Sequence, residues 1–217
     1  MKIARLELIQ KLECVAPGLA KARETVEQSS CYCFKDGRVF TYNEQVACSY
    51  KCDIDVNGAV KAAPLLAILN KLPEDDITIE ATETKMVVKG EAKLARLQME
   101  AEVMLPIESV EVPGKWYKLP DDFTEAIEIV QPCASNNDSG FSLSCIHLHP
   151  EYIEACDNFQ MSRFTLETGI DKSTLVKRDS LKCVVGLGMT AFCETGSWIH
   201  FKNPSGLILS CRRFMDE

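Results

Sequence analysis

The sequence predicts an α+β protein built from two similar halves, and three observations carry that prediction. Residues 60–98 set Leu65, Ile68, Leu69 and Leu72 at the i, i+3, i+4, i+7 spacing of one buried helix face. Three short alternating runs follow, residues 77–81, Lys85–Lys89 and residues 92–98, and turn residues between them mark an antiparallel meander. The unit then returns 116 positions later (Val60 to Val176): residues 176–213 open with the same Val-Lys and place Leu181, Val184 and Val185 at helical spacing. That copy continues through residues 190–194, Trp198–Lys202 and residues 207–212 as three more strands. A helix and three strands stated twice is an internal repeat, so the domain count follows from it.

The N-terminal part of each half justifies further elements in order. Residues 1–4 suit a short edge strand. Residues 5–16 put Leu8, Ile9, Leu12 and Val15 on one face of a helix, with Glu7, Gln10, Lys11 and Cys14 toward the other, and Pro17-Gly18 stops it. A polar loop, residues 19–30, leads to strands at Cys31–Lys35, residues 38–43 and residues 46–54. Asp36-Gly37 between the first two is a strong hairpin signal, and Asn57-Gly58 turns the chain into the next helix. Residues 121–131 repeat the first helix, with Phe123, Ile127 and Val130 on one side and Pro132 as the stop. Strands are expected at residues 141–149, 152–157 and 161–167, and residues 171–174 lead into the last helix. Each half therefore reads as strand–helix–three strands, itself repeated once. The predicted domains are residues 1–106 and 116–217, joined by an extended connector, residues 107–115, within the proline-containing stretch 105–115.

Composition bounds the function. The chain has 217 residues, 46% of them hydrophobic, enough for two domains of ordinary size. It has no apolar run of about 18 residues, and Arg5, Glu7 and Lys11 interrupt any secretory core at the N-terminus. A cytoplasmic protein with no membrane partner is expected. Eleven cysteines at irregular spacing suit buried, reduced thiols rather than a disulfide framework or a zinc site. A net charge of −8 argues against a surface that binds nucleic acid all over, but not against one basic face.

In order and spacing the chain resembles the DNA sliding clamps, nearest the bacterial polymerase III beta subunit and its phage relatives. The likeness is carried by residues 2–19, by residues 41–49 and 155–164 with Cys156-Asp157, by residues 175–187 (LVKRDSLKCVVGL), and by residues 208–217 (ILSCRRFMDE). It spans essentially the whole chain. The resemblance implies two clamp domains, each with two helices packed on antiparallel sheets. It also implies a six-domain ring around duplex DNA, helices inward, that tethers a polymerase without chemistry or cofactor of its own. Two domains per chain imply a phage-like homotrimer, or a dimer if the chain is a fragment of a three-domain protein. The implied partners are duplex DNA, bound without regard to sequence, and a DNA polymerase and clamp loader bound through short apolar peptide motifs.

Sliding contacts suit long Lys and Arg side chains aimed at phosphates, which carry little sequence information. The candidates are Lys11, Lys21, Arg23, Lys71, Lys172, Lys177, Arg178 and Lys182, with Lys21 and Arg23 in the loop where the resemblance implies basic DNA contacts. Against this, Asp121, Asp122, Glu125 and Glu128 make the first helix of the second half acidic. By position the resemblance places a partner-peptide pocket on Cys156, Asn158, Phe159, Gln160 and Met161, where Asn-Phe-Gln departs from the Gly-His-Arg usual in the family. A trimer-type pocket would lie near residues 105–112 with Tyr42 and Val46. No catalytic or metal-ligating set is expected. His147, His149 and His200 fall on strands without a nucleophile at a telling spacing, and Gly186-Leu-Gly188 ends a helix instead of opening one. The rival to the ring is a clamp-fold protein that does not encircle DNA: a monomeric processivity factor, or a decoy for the partners of a host clamp.

Overall fold

Among the described residues, two units of eight strands with one topology account for the sequence repeat. The computed structural model describes residues 1–215 except Ala22, Arg23, Thr25, Val112 and residues 137–139, with Met215 described in its backbone alone. The chain divides into two compact units, Met1–Ile107 and Glu108–Glu217.

Unit 1 contains, in order, β1 (Lys2–Ala4), α1 (Arg5–Val15), β2 (Cys31–Lys35), β3 (Arg38–Tyr42), β4 (Val46–Lys51), β5 (Gly58–Lys61), α2 (Ala62–Lys71), β6 (Asp76–Ala81), β7 (Lys85–Lys89) and β8 (Leu94–Glu100). Unit 2 contains β9 (Tyr117–Lys118), α3 (Phe123–Val130), β10 (Cys145–His149), β11 (Tyr152–Cys156), β12 (Met161–Thr165), β13 (Thr174–Lys177), α4 (Arg178–Leu181), β14 (Ala191–Glu194), β15 (Trp198–Lys202) and β16 (Ile208–Met215). Strand order is β1-β6-β7-β8-β5-β2-β3-β4 in unit 1 and β9-β14-β15-β16-β13-β10-β11-β12 in unit 2. The two orders correspond strand for strand, and the pairings are antiparallel. The duplicated βαβββ pattern is therefore the fold of each unit.

The helices form where the apolar stripe dictates. Leu8, Ile9, Leu12 and Val15 are the buried residues of α1, and Phe123, Ala126, Ile127 and Val130 those of α3. Each fully buried side chain of this size is worth about 1.5–3 kcal/mol against exposure, which fixes which face turns inward. On α2, Ala62, Leu65 and Leu69 are buried while Ile68 is only half-buried. The helix ends are satisfied by distant side chains. Thr41 Oγ1 donates to the Val15 carbonyl at the end of α1, and the Arg5 guanidinium donates to the carbonyls of Leu69 and Glu74 at and beyond the last turn of α2. Asp36 and Gly37 take φ of 51° and 69°, the left-handed pair that a two-residue hairpin requires between β2 and β3.

Several expectations need correction. Val60-Lys61 and Val176-Lys177 belong to strands β5 and β13 instead of helix starts, because they pair with β2 and β10. The last helix is one four-residue turn, α4, extended by a 3-10 turn at Lys182–Val184. Val185 there takes an extended conformation, followed by Gly186 with φ of 80°, which ends the helix early. The strand expected over residues 141–149 begins only at Cys145, since Ser142–Ser144 form a 3-10 turn. The third strand of the first half stops at Lys51, and β9 had no periodic signal.

All eleven cysteines are free. Seven are buried and pack as small apolar groups, burial pushing the Cys52 thiol up to about 11, while Cys14, Cys133, Cys156 and Cys183 are half-buried. His200 is fully buried between Ser210 and Thr195 and belongs to the core of unit 2. His147 and His149 share a strand face, where His147 pairs with Glu154 and His149 stacks on Tyr152. No group of three or more His, Cys, Asp or Glu among the described residues is placed to hold a metal ion. No helix among them is long and apolar enough to cross a membrane.

Candidate nucleic-acid interface

In unit 1, α1 and α2 pack side by side, and in unit 2, α3 packs on the 3-10 turn that extends α4. The outward faces of these helices are the surface the basic candidates were expected to cover. On α1 the exposed charged residues are Glu7 and Glu13, and on α3 they are Glu125 and Glu128, with Asp121 and Asp122 exposed just before it. The exposed cations are Lys71 at the end of α2 and Lys182 just after α4.

The remaining candidates are distributed as follows. Lys11 is half-buried and pairs with Glu7, one helical turn earlier, at 2.8 Å. Lys21 is exposed in the loop after α1, Lys172 is exposed in the segment before β13, and Arg23 lies outside the described residues. Lys177 and Arg178 are half-buried and engaged. Lys177 Nζ donates to Ser144 Oγ at 2.6 Å and sits 4.4 Å from the centre of the Phe141 ring. Arg178 donates to Asn136 Oδ1 and to the Ala134 carbonyl and pairs with Asp179 at 2.9 Å.

Lys177 has a counterpart that the candidate list omitted. Lys61 is opposite Cys31 in β2, as Lys177 is opposite Cys145 in β10, and each precedes a helix with nearly the same backbone, φ/ψ of −55°/126° and −51°/130°. Lys61 Nζ donates to Ser30 Oγ at 2.8 Å, the same bond that Lys177 makes to Ser144. Lys61 also pairs with Glu24 of the preceding loop at 2.9 Å, and that hydrogen bond holds the Glu24 carboxyl below the usual carboxylate range. The repeated Val-Lys was the sequence signal for this pair.

The pocket candidates fall into two groups. Tyr42 and Val46 belong to unit 1 and are buried. Cys156 ends β11 half-buried, while Asn158, Phe159, Gln160 and Met161 are exposed around the turn into β12. Phe159 is 95% exposed and Met161 58% exposed, so neither is a packing residue of its unit. The turn itself is well built. Asp157 Oδ1 accepts from the backbone N–H groups of Phe159 and Gln160, both at 2.8 Å, and these bonds hold the Asp157 carboxyl below its usual range.

Comparison with known proteins places this architecture. No family model matches the chain, and no curated protein matches it. Solved structures do match. A DNA polymerase III beta chain from Streptococcus pneumoniae superposes on 100% of this chain and 65% of its own, with a TM-score of 0.83 at 14% identity. A beta subunit from Thermotoga maritima covers 100% of this chain and 64% of its own, with a TM-score of 0.79 at 15% identity. A Helicobacter pylori beta clamp bound to a DNA ligase peptide covers 100% and 67%, with a TM-score of 0.78 at 15% identity. The chain has the sliding-clamp fold and spans about two-thirds of the length of these solved chains.

Proposed function

We propose that this chain is a processivity factor of the sliding-clamp type, which encircles duplex DNA and tethers a polymerase and other replication proteins to it. The observation that supports this reading is that both units, over the whole chain, superpose on beta clamps. In this reading six units close a ring, from three copies of a two-unit chain or two copies of a three-unit one. The helix faces point inward, with the exposed Lys21, Lys71, Lys172 and Lys182 available to phosphates, and Arg23, outside the described residues, as a further proposed contact. Lys61 and Lys177 form an equivalent pair at the helix starts, and Lys11, Lys177 and Arg178 would have to leave their present partners to reach DNA. Partner peptides dock at the Phe159–Met161 turn, where the exposed apolar side chains are the anchors. The protein works without catalysis or cofactor.

Polymerase extension on primed circular DNA, with and without a clamp loader, tests this. Long products on circles, lost on linear DNA with free ends, are expected. Light scattering on the purified protein should give a trimer or dimer, and a monomer at micromolar concentration would count against the ring.

The acidic faces of α1 and α3 favour a second reading, a clamp-fold protein that acts without encircling DNA, as a monomeric factor or a decoy for clamp partners. Inhibition of a host polymerase without stimulation on any template would select it.

A further inference from the structure

The first strand of each unit is the edge of its sheet, and the two edges differ in chemistry. β1 pairs only with β6 among the described residues. Around it stand Glu74, Asp75, Asp76 and Glu91 against Lys2 and Lys89, with Lys2 in an exposed pair with Asp76 at 2.8 Å. Its equivalent, β9, pairs only with β14 among the described residues and is built of Tyr117 and Lys118, flanked by Lys115 and Trp116.

The register of β9, β14 and β15 sorts these side chains onto two faces. Tyr117 is opposite Phe192, which is opposite Phe201, and these form an aromatic row running into the core. Lys118 is opposite Ala191, which is opposite Lys202, so on the other face two lysines flank one small residue. They lie two strand spacings apart, roughly 10 Å at the backbone. Trp116, two residues before Lys118, shares that face, and the Lys202 ammonium lies 4.5 Å from its ring centre. Lys115 lies 5.1 Å from the Tyr117 ring centre. Lys202 has no carboxylate partner among the described residues. Lys118 pairs with Asp121 at 2.9 Å, but both side chains are about four-fifths exposed, so the pair is weak. Beside Lys118 opens a pocket of about 180 Å³, walled by Leu119, Pro120, Thr124, Met189 and Thr190, with Asp121, the partner of Lys118, at its wall, so the pocket takes an uncharged side chain.

An exposed strand edge offers unpaired backbone groups to another chain, and aromatic side chains on it are a liability unless something covers them. We infer that the β9 edge, with Lys115, Trp116, Lys118 and Lys202, is a docking strand for an extended acidic segment of a partner protein that carries one aliphatic anchor. The segment adds to β9 through its backbone, as in strand augmentation. Its carboxylates lie over Ala191 between Lys118 and Lys202, and the anchor enters the pocket at Met189. Single-stranded nucleic acid fits less well. Both rings already carry an ammonium over a face, and stacked bases would have to displace it. This surface is independent of whether the chain encircles DNA.

The test uses the full chain and a fluorescein-labelled peptide of alternating glutamate and valine with one central leucine, read by anisotropy. Its lysine-for-glutamate counterpart and oligothymidylate are the comparison probes. Saturable binding of the acidic peptide is expected. It should weaken roughly tenfold in Lys115→Glu/Lys202→Glu, and by a similar factor when alternate peptide nitrogens are methylated. In the unmodified protein, amide resonances of residues 115–118 and 190–192 should shift with the peptide, a readout that does not depend on a variant folding. Equal binding of the basic peptide, preference for oligothymidylate, absence of acidic-peptide binding, or shifts confined to other residues would each overturn the assignment.

Discussion

His200 makes the stability of unit 2 depend on pH in a way that can be isolated. Its ring is fully buried, with Nδ1 2.7 Å from Ser210 Oγ and Nε2 3.0 Å from Thr195 Oγ1. A neutral imidazole donates once and accepts once there, and the two hydroxyls rotate to complement it. Burial pushes the imidazole from its ordinary 6.5 down to about 4, against a smaller opposing pull from Glu111. Between these values the unfolded chain holds a proton that the folded chain refuses. The contribution of His200 is therefore complete above pH 6.5 and is lost as pH falls toward 4. At about 1.4 kcal/mol per pH unit the loss comes to roughly 3 kcal/mol. Carboxylates held low, such as Glu154 and Glu111, add losses in the same direction at more acid pH, so the difference from a variant is the quantity to measure. His200→Asn keeps a polar group near Nδ1 and has nothing to titrate. Urea unfolding followed by circular dichroism at pH 7 and pH 4 should show the parent losing about 3 kcal/mol more than the variant. Parallel losses, or a His200 resonance titrating near 6.5, would refute the reasoning.

Three further outcomes follow from named contacts. Tyr32 is fully buried and its hydroxyl has no hydrogen-bond partner among the described residues, so Tyr32→Phe should be neutral or stabilising by up to about 1 kcal/mol in urea melts. A Cβ at Gly18 would collide with Thr41 Oγ1 and lie 2.9 Å from the Thr41 carbonyl. Gly18→Ala should therefore lower stability by about 1–3 kcal/mol, and normal stability would mean the contact is looser than described. Glu24→Gln should release the Lys61 ammonium and raise affinity for short duplex DNA a few-fold at low salt, and Lys61→Ala should abolish that gain. An unchanged affinity would remove Lys61 from the DNA-facing set.

Periodicity made the fold legible wherever one side of an element meets the core. The α1 stripe is legible to the residue and the α3 stripe in all but the small Ala126, because one buried face of a regular helix leaves an unmistakable spacing. Strands β5 and β13 were hidden because Gly-Ala-Val-Lys and Thr-Leu-Val-Lys run straight into helices. Their strand character comes from pairing with β2 and β10, residues that are remote in sequence. Two-residue β9 is too short for any period. The site was less legible than the fold, since a lysine's sequence position does not tell what it touches. Lys177 and Arg178 looked like free phosphate contacts, yet both are half-buried and bonded to their own unit. Lys61 is not among the phosphate-contact candidates although the repeat pairs it with Lys177. Phe159 is a pocket candidate by position alone, and only the geometry of the Asp157 turn shows it held outward.

The charges on the helices separate two ways of staying on DNA. A protein held by phosphate contacts releases counterions, and its affinity falls by about 0.9 logarithmic units per contact for each decade of salt. On the exposed helix surfaces here, Lys71 and Lys182 stand against Glu7, Glu13, Glu125, Glu128 and Asp179. About two contacts per copy from these helices, four to six in a ring of two or three copies, give a slope of roughly −4 to −5, so charge alone holds the protein weakly at physiological salt. A closed ring does not need that affinity, since topology supplies the residence and an acidic lining lowers the friction of sliding. Retention should then depend on the template's ends more than on salt. Protein loaded on a nicked circle should remain as salt rises until the ring opens, and it should leave within moments of linearisation at any salt. Equal, salt-dependent loss from circle and linear duplex would mean that charge alone holds the protein, and the encircling reading would fall with it.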